Sequence, residues 1–351
     1  MRSARLVAFD AGPLATFVSV GEHVKIHIAT AGYLRRFTNA QGHIQAVRPA
    51  DPTRRIPPRG PETVGYRSRY FVDPQIAAAA EQRLSRYESA GLRSLRKINT
   101  TWPLESDELF EDRLHIACLV AIHMVRNEAF KHHTARLQGR SLAQKLPEYD
   151  FEAAREEVFL RELTSEGFRV NHMLGMIPKM ASMIASAHWS LIEFPAPLLA
   201  TSDQPVTVVP LLADGVAATV QPNPDHGFLL TEEMRFPIDP RRALLFTWAN
   251  EPDTPEPLRG SDDIAADLNR AVIAQADREW FHNPDRRPTR LPTSGLRTES
   301  CGPVGRELLA GYDAAAVMES RRRQDAVECL DQMIENEVTD RFHVARISVA
   351  A

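Results

Sequence analysis

Apolar and polar positions along the chain follow a helical rhythm between residues 73 and 191 and a strand-like one after Pro195. Before the first helix, residues 23–37 alternate β-branched positions at Val24, Ile26 and Ile28. They then turn aromatic and basic at Tyr33, Leu34, Arg35, Arg36 and Phe37, which predicts a strand leading into a short helical turn. Gln41, Gly42 and His43 mark a turn before a second short strand over 44–47. Residues 48–61 are rich in proline and arginine, which cannot sustain a helix and supply few apolar anchors, so they predict a surface loop. Asp73 and Pro74 open an amphipathic helix carrying Ile76, Leu84, Leu92 and Leu95 that closes before Trp102 and Pro103. Ser106, with Glu108 and Glu111, opens a longer helix whose middle, 116–125, is apolar almost all round and therefore belongs at the centre of the protein. A third helix is predicted over 152–163. A fourth follows Pro178, with Met180, Met183, Ile184, Ala187 and Leu191 on one face, methionines included as core packing.

Short apolar runs at 198–200, 206–209, 217–220, 228–230 and 243–248 are punctuated by Pro, Gly, Asn and Asp, the spacing of a small antiparallel sheet. Ser261 is placed to cap a further helix running through Ile264, Leu268 and Val272 to Trp280. Residues 283–305 read as a linker, and 314–337 as a charged helix with Val317, Val327, Leu330 and Ile334 as its apolar stripe. The expected class is α+β: a predominantly helical layer with a central buried helix, packed on a small, mostly antiparallel sheet. One domain covers 1–285, a linker 286–312 and a C-terminal helical appendage 313–351.

With 43% apolar residues over 351 positions, the chain can bury a substantial core. Its 42 Lys and Arg against 46 Asp and Glu give a net charge of -4, so overall charge does not indicate a nucleic-acid partner. Three cysteines, Cys118, Cys301 and Cys329, are scattered and lack a CxxC spacing, which fits a reducing compartment better than a disulfide framework. No run approaches the roughly 20 apolar residues of a membrane span. The opening imitates a signal peptide, but Asp10 and Pro13 break its apolar stretch. A cytoplasmic protein without a membrane partner is expected.

The chemistry concentrates in a few places. His115, Leu119, His123 and Arg126 share one stripe of the apolar helix. Arg126 cannot shed its proton, so in a core it must meet a carboxylate or a bound anion, and Glu81, Glu88 and Asp203 are the candidates. Ser202, Asp203, Gln204 and Pro205 form a turn between predicted strands, where an aspartate can be structural or serve as a general base. His27 stands alone on its strand. His132 and His133 follow Glu128 at metal-ligand spacing, although the neighbouring Lys131 and the fading periodicity suit a solvated helix end. Arg54, Arg55 and Arg59, Arg286 and Arg287, and Arg321 to Arg323 read as solvated loops. No GxGxxG, Walker loop, GxSxG elbow or HExxH is present, which disfavours the common nucleotide and hydrolase folds.

The run Ile26, His27, Ile28 through Tyr33, Leu34 and Phe37 resembles the opening of the bacterial domain-of-unknown-function family numbered 4238. The resemblance continues through Glu81 and Glu88, 121–126, 202–206 and 236–240 to Asn269, covering roughly residues 20–285 in one order. Thr30 and His123 depart from that pattern, and the C-terminal part looks like an addition. The resemblance implies relatives but no reaction, cofactor or metal. The residues therefore leave three readings open. The first is a hydrolase or group transferase acting on an anionic small molecule that bears a phosphate or carboxylate. Its catalytic groups are His27, Glu81, Glu88 and Asp203, with Tyr33, His123, Arg126, Ser202 and Asn269 binding substrate. The second is an interaction or regulatory protein whose polar network is structural and whose C-terminal helix supports a homo-oligomer. The third is a metalloprotein using histidines of the second long helix.

Overall fold

A computed structural model describes residues 25–54, 56–68, 70–71, 73–104, 109–126, 130, 166–210, 231–247, 254–286 and 288. Within them the class is α+β: long helices combined with small, mostly antiparallel sheets. The predicted strand-to-turn opening is present as β1 (Lys25–His27), a short helix α1 (Ala31–Leu34) capped by the Thr30 hydroxyl, and a 3-10 turn over Arg35–Phe37. Then come β2 (Gln45–Val47) and β3 (Tyr66–Ser68), of which β3 pairs antiparallel with β1.

Helix α2 (Pro74–Thr101) starts where Asp73 and Pro74 predict, with the Asp73 carboxylate accepting from the Gln75 and Ile76 amides. Helix α3 (Phe110–Val125) is the buried one: Ile116 through Ile122 lie in the core on every face. The two helices run antiparallel and very close. At Gly91 an added Cβ would meet the Leu119 Cβ at 2.6 Å and the His115 carbonyl at 2.7 Å, so only glycine permits this approach. One end of the contact is tied by Ser94 donating to Asp112 at 2.6 Å, with Lys97 joining at 2.9 Å. The other end is tied by the glutamates of α2 and Arg126.

Helix α4 (Glu166–Ala185) differs from expectation: it does not start at Pro178 but runs through it. The reason lies in burial, since Val170, Met173, Leu174 and Ile177 before the proline pack into the same core as Met180 and Ile184 after it. That apolar contact outweighs the roughly 3 kcal/mol cost of an internal proline. The helix also stops sooner than predicted. Trp189 and Leu191 belong to β4 (His188–Glu193), and Arg113 of α3 donates to the Ala185 and Ala187 carbonyls at the helix exit.

Strands β5 (Thr201–Ser202), β6 (Thr207–Pro210), β7 (Thr231–Asp239), β8 (Arg242–Thr247) and β9 (Leu258–Arg259) follow. After them, helix α5 (Asp262–Gln275) is capped by Ser261 as predicted but ends before the predicted Trp280, which instead opens β10 (Trp280–His282). A five-stranded sheet has the order β6-β7-β8-β4-β9, antiparallel except for the last pair, while β10 lies between β2 and β5. Met234, Phe236, Leu244 and Phe246 join the core that contains α3 and α4, whereas Ala243 and Leu245 pack with Ala265 and Leu268 of α5. The predicted strands at 217–220 and 228–230, the helices at 152–163 and 314–337, and most of the linker lie outside the described residues. Among the described residues no helix is long and apolar enough to cross a membrane.

Asn269 ties α5 to the segment entering β5. Its amide oxygen accepts from the Ala200 amide at 2.7 Å and its nitrogen donates to the Leu198 carbonyl at 2.8 Å, with the side chain buried. Asn269→Ala strands both backbone groups, so urea unfolding is expected to show a loss of about 2–3 kcal/mol.

Candidate functional site

Arg126 ends α3, where the helix dipole favours a cation, and only 1% of its side chain reaches solvent. One terminal nitrogen donates to Glu88 at 2.5 Å and the other to Glu81, both on α2. Glu81 and Glu88 are seven residues apart, two turns of one helix, so both project toward the same guanidinium. The requirement that a buried arginine find carboxylates is thus met by two of its three candidates. The cluster opens unevenly to solvent: the Glu81 side chain is 36% exposed and that of Glu88 17%. Burial pushes the Glu88 carboxyl above its ordinary value, Arg126 pulls it back, and Glu81 adds to the rise.

His27 faces the same group of charges. Its Nε2 lies 3.2 Å from the Glu62 carbonyl, which can only accept, so Nε2 carries the proton and Nδ1 keeps its lone pair. Burial lowers the His27 pKa, helped by Arg126 and opposed by its contact with the Glu62 carbonyl and by the charges of Glu81 and Glu62. The imidazole is neutral at pH 7 as a result.

Beneath lies His123, fully buried, with neither ring nitrogen in a hydrogen bond. Burial and the charge of Arg126 depress its pKa to about 3. Its ring packs against Tyr33 at 4.8 Å and Phe236 at 5.7 Å between centroids. The Tyr33 hydroxyl donates to the Pro237 carbonyl at 2.5 Å and so accepts from Thr201 at 2.7 Å, and burial raises its pKa. That carbonyl is within reach because β7 changes register between Pro237 and Asp239. Arg36 fills out the junction, donating to the Ile238 carbonyl at 2.6 Å.

The remaining expected site residues sit elsewhere, in saturated surroundings. Asp203 is fully buried, and its carboxylate accepts from the Asp277, Arg278 and Glu279 amides at 2.9, 2.9 and 3.2 Å and from Arg67 at 2.8 Å. With four donors, three of them on Oδ2, it anchors the loop between α5 and β10 from a fully buried position. Ser202 closes the local turn onto Gln204, and Asn269 serves the backbone as described above. His27, Tyr33, Glu81, Glu88, His123 and Arg126 are therefore brought together; Asp203, Ser202 and Asn269 are not part of that cluster. Arg67, the partner of Asp203, was not foreseen, since β3 carries no recognisable apolar alternation. Glu128, His132 and His133 lie outside the described residues. Among the described residues no three His, Cys, Asp or Glu side chains converge on a metal-sized space.

The chain belongs to the family described as proteins of unknown function (DUF4238), whose model matches residues 31–286. The matched span contains Tyr33, Glu81, Glu88, His123 and Arg126, and begins just after His27. No curated protein and no solved structure matches the chain.

Arg126→Met leaves two carboxylates facing each other without their counter-charge. A loss of about 3–5 kcal/mol in urea unfolding at pH 7 is expected. Without Arg126 to oppose burial and the neighbouring Glu81, the Glu88 pKa rises further in the folded variant, so its folded state binds more protons than the unfolded chain. Part of the deficit is therefore recovered as pH falls from 7 toward 5. A deficit independent of pH would mean that the guanidinium does not neutralise Glu81 and Glu88.

Proposed function

We propose that this member of the family is an enzyme, a hydrolase or group transferase acting on an anionic small molecule that bears a phosphate or carboxylate. The observation that carries this reading is the incomplete state of the cluster. Both nitrogens of His123 and the Nε of Arg126 are buried without partners, whereas every polar side-chain atom of Asp203 and Asn269 has one. Unsatisfied buried groups are costly and persist where they serve function.

In the reaction, a water or acceptor hydroxyl attacks the phosphorus or carbonyl carbon of the substrate and gives up its proton to Nδ1 of neutral His27. As the bond to the leaving group breaks, Glu88 supplies the proton that group requires. Its pKa, raised chiefly by burial, suits it to that donation. Arg126 is a positioning residue here: both of its terminal nitrogens hold carboxylates, so it fixes the proton carriers and leaves the substrate's charge to other groups.

The competing reading, an interaction or regulatory protein with a structural network, rests on that same double engagement of Arg126. Two measurements separate them. Purified protein offered a panel of phosphate monoesters, phosphodiesters and carboxylate esters is expected to turn over at least one, and Glu88→Gln, which keeps the bond to Arg126, to cut that rate by about 100-fold or more. No turnover across the panel, or turnover indifferent to both Glu88→Gln and His27→Gln, would falsify the enzymatic reading. Stability gives the second test. The depressed His123 pKa contributes stability that is present above pH 6.5 and lost as pH falls toward the folded value of about 3. His123→Leu is expected to be about 1 kcal/mol more stable at pH 7 and to remove a slope of about 1.4 kcal/mol per pH unit in the acid limb. A destabilised variant favours the structural reading.

A further inference from the structure

Arg54 and Arg59, which look like solvated loop in the sequence, share a cavity in the fold with three further arginines. The cavity, of about 650 Å³, lies between the 48–60 loop, β3 and the turn before β10, and is lined by Arg48, Arg54, Arg59, Arg67 and Arg278. Against these five cations it has only two carboxylates, Asp277 and Glu279. Asp277 is held by Arg67 at 2.8 Å, and Glu279 accepts from the Gly65 amide at 3.2 Å. Arg48, Arg54 and Arg59 make no ion pair among the described residues. Arg67 is itself built into the wall: its side chain is 5% exposed, it is tied to Asp203 and Asp277, and its Nε is buried without a partner. An excess of like charges over counter-charges focuses a positive potential, and low-dielectric walls strengthen it.

We infer that this cavity binds a small phosphate-bearing molecule. Its volume falls in the range of small-molecule sites, roughly 300–1,000 Å³. The forked guanidinium groups match phosphate oxygens in pairs. Ala46, Ile56 and Val64 give the cavity an apolar part as well, so the preferred ligand carries an organic portion beside its phosphates. A long polynucleotide is the poorer fit, because the chain outside the cavity carries net negative charge. As a ligand site, the cavity stands apart from the proton-transfer reading.

A second step rests on that reading: the cavity is where the anionic end of the substrate sits. Tyr66 lines the cavity, and its ring centroid is 6.3 Å from that of His27. Thr63 also lines it, next to Glu62, whose carbonyl fixes the His27 tautomer. The positive cavity thus adjoins the neutral base and supplies the charge recognition that Arg126 cannot.

Calorimetric titration of the full chain with adenosine 5′-triphosphate, inorganic pyrophosphate and adenosine tests the site. Adenosine triphosphate is expected to bind with a dissociation constant below about 100 μM, pyrophosphate more weakly and adenosine not measurably. Arg54 and Arg59 are exposed, so Arg54→Gln with Arg59→Gln leaves the fold intact by circular dichroism and is expected to weaken binding by about tenfold or more. Should the pair unfold the protein, Arg48→Gln replaces Arg59→Gln, with the same expectation. Absence of binding by both phosphate probes up to 1 mM on the titration scale overturns the inference. So does unchanged affinity in the arginine variant, or tighter binding of a twelve-nucleotide single strand than of adenosine triphosphate. Glu88→Gln keeps the two ideas apart: it is expected to bind the triphosphate as wild type does. Binding without any turnover leaves the ligand site standing and removes only the reaction.

Discussion

The arrangement of the helical half depends on neutralising one guanidinium. Arg126 is carried into the interior by α3, whose every face is apolar, and an arginine cannot escape the cost of burial by losing its proton. Carboxylates must therefore come to it, and α2, which packs along α3, brings Glu81 and Glu88. Gly91 brings that helix close enough to deliver them, since any larger residue would strike the Leu119 Cβ. Two glutamates on one arginine leave the cluster a net negative charge if both ionise. Burial is the main cause that raises Glu88, Arg126 opposes it, and the charge of Glu81 adds to the rise, which is the property the proposed proton transfer draws on.

Three of the four arginines buried among the described residues show how differently one requirement can be met. Arg235 on β7 is closed in by Glu233 on the same strand and Asp267 on α5, pinning that helix to the sheet. Arg67 bridges Asp203 and Asp277, and Asp203 spends its remaining capacity on three amides of the turn before β10. Arg126 alone stands beside an imidazole with no partner on either nitrogen and carboxylates that reach solvent. Arg235 joins elements, and Arg67 does so with its Nε left without a partner, while Arg126 keeps an unpartnered Nε beside an unpartnered imidazole, the combination on which the proposed site rests.

Elements announced by local chemistry were legible in the sequence: Asp73 with Pro74 for α2, Ser261 for α5, and the β-branched run and aromatic turn for β1 and α1. Strand β4 was hidden because Met180, Ile184, Ala187 and Leu191 satisfy helical spacing, while the chain leaves the helix at Ala185 and Trp189 and Leu191 bury themselves in a strand of the same core. Strand β7 was hidden by Glu233 and Arg235, charges that cancel each other and face α5, leaving Met234, Phe236 and Ile238 as an alternation visible only once that pairing is known. The pairing of Arg126 with the α2 glutamates followed from the physics of a buried cation. The partner of Asp203 did not, because it is an arginine on a three-residue strand without a pattern of its own. Nor could spacing reveal that arginines from three distant segments share one cavity.

The smallest sheet in the protein links the two halves of the proposed site. In the antiparallel pair β1 and β3, Ile26 stands opposite Arg67 and His27 opposite Tyr66. Side chains alternate across such a ribbon, so Arg67 is directed toward Asp203 and the cavity wall while His27, one residue along on the facing strand, meets the Arg126 cluster. A slip of one residue would send each to the wrong face and separate the base from the groups it faces. The register is held from outside the ribbon: the Ile28 amide donates to the Gly65 carbonyl at 2.8 Å, and the Gly65 amide is taken by Glu279 of the turn that Asp203 anchors. Asp203 thus touches no part of the Arg126 cluster yet helps set where His27 stands, through Glu279, Gly65 and a ribbon only three residues long.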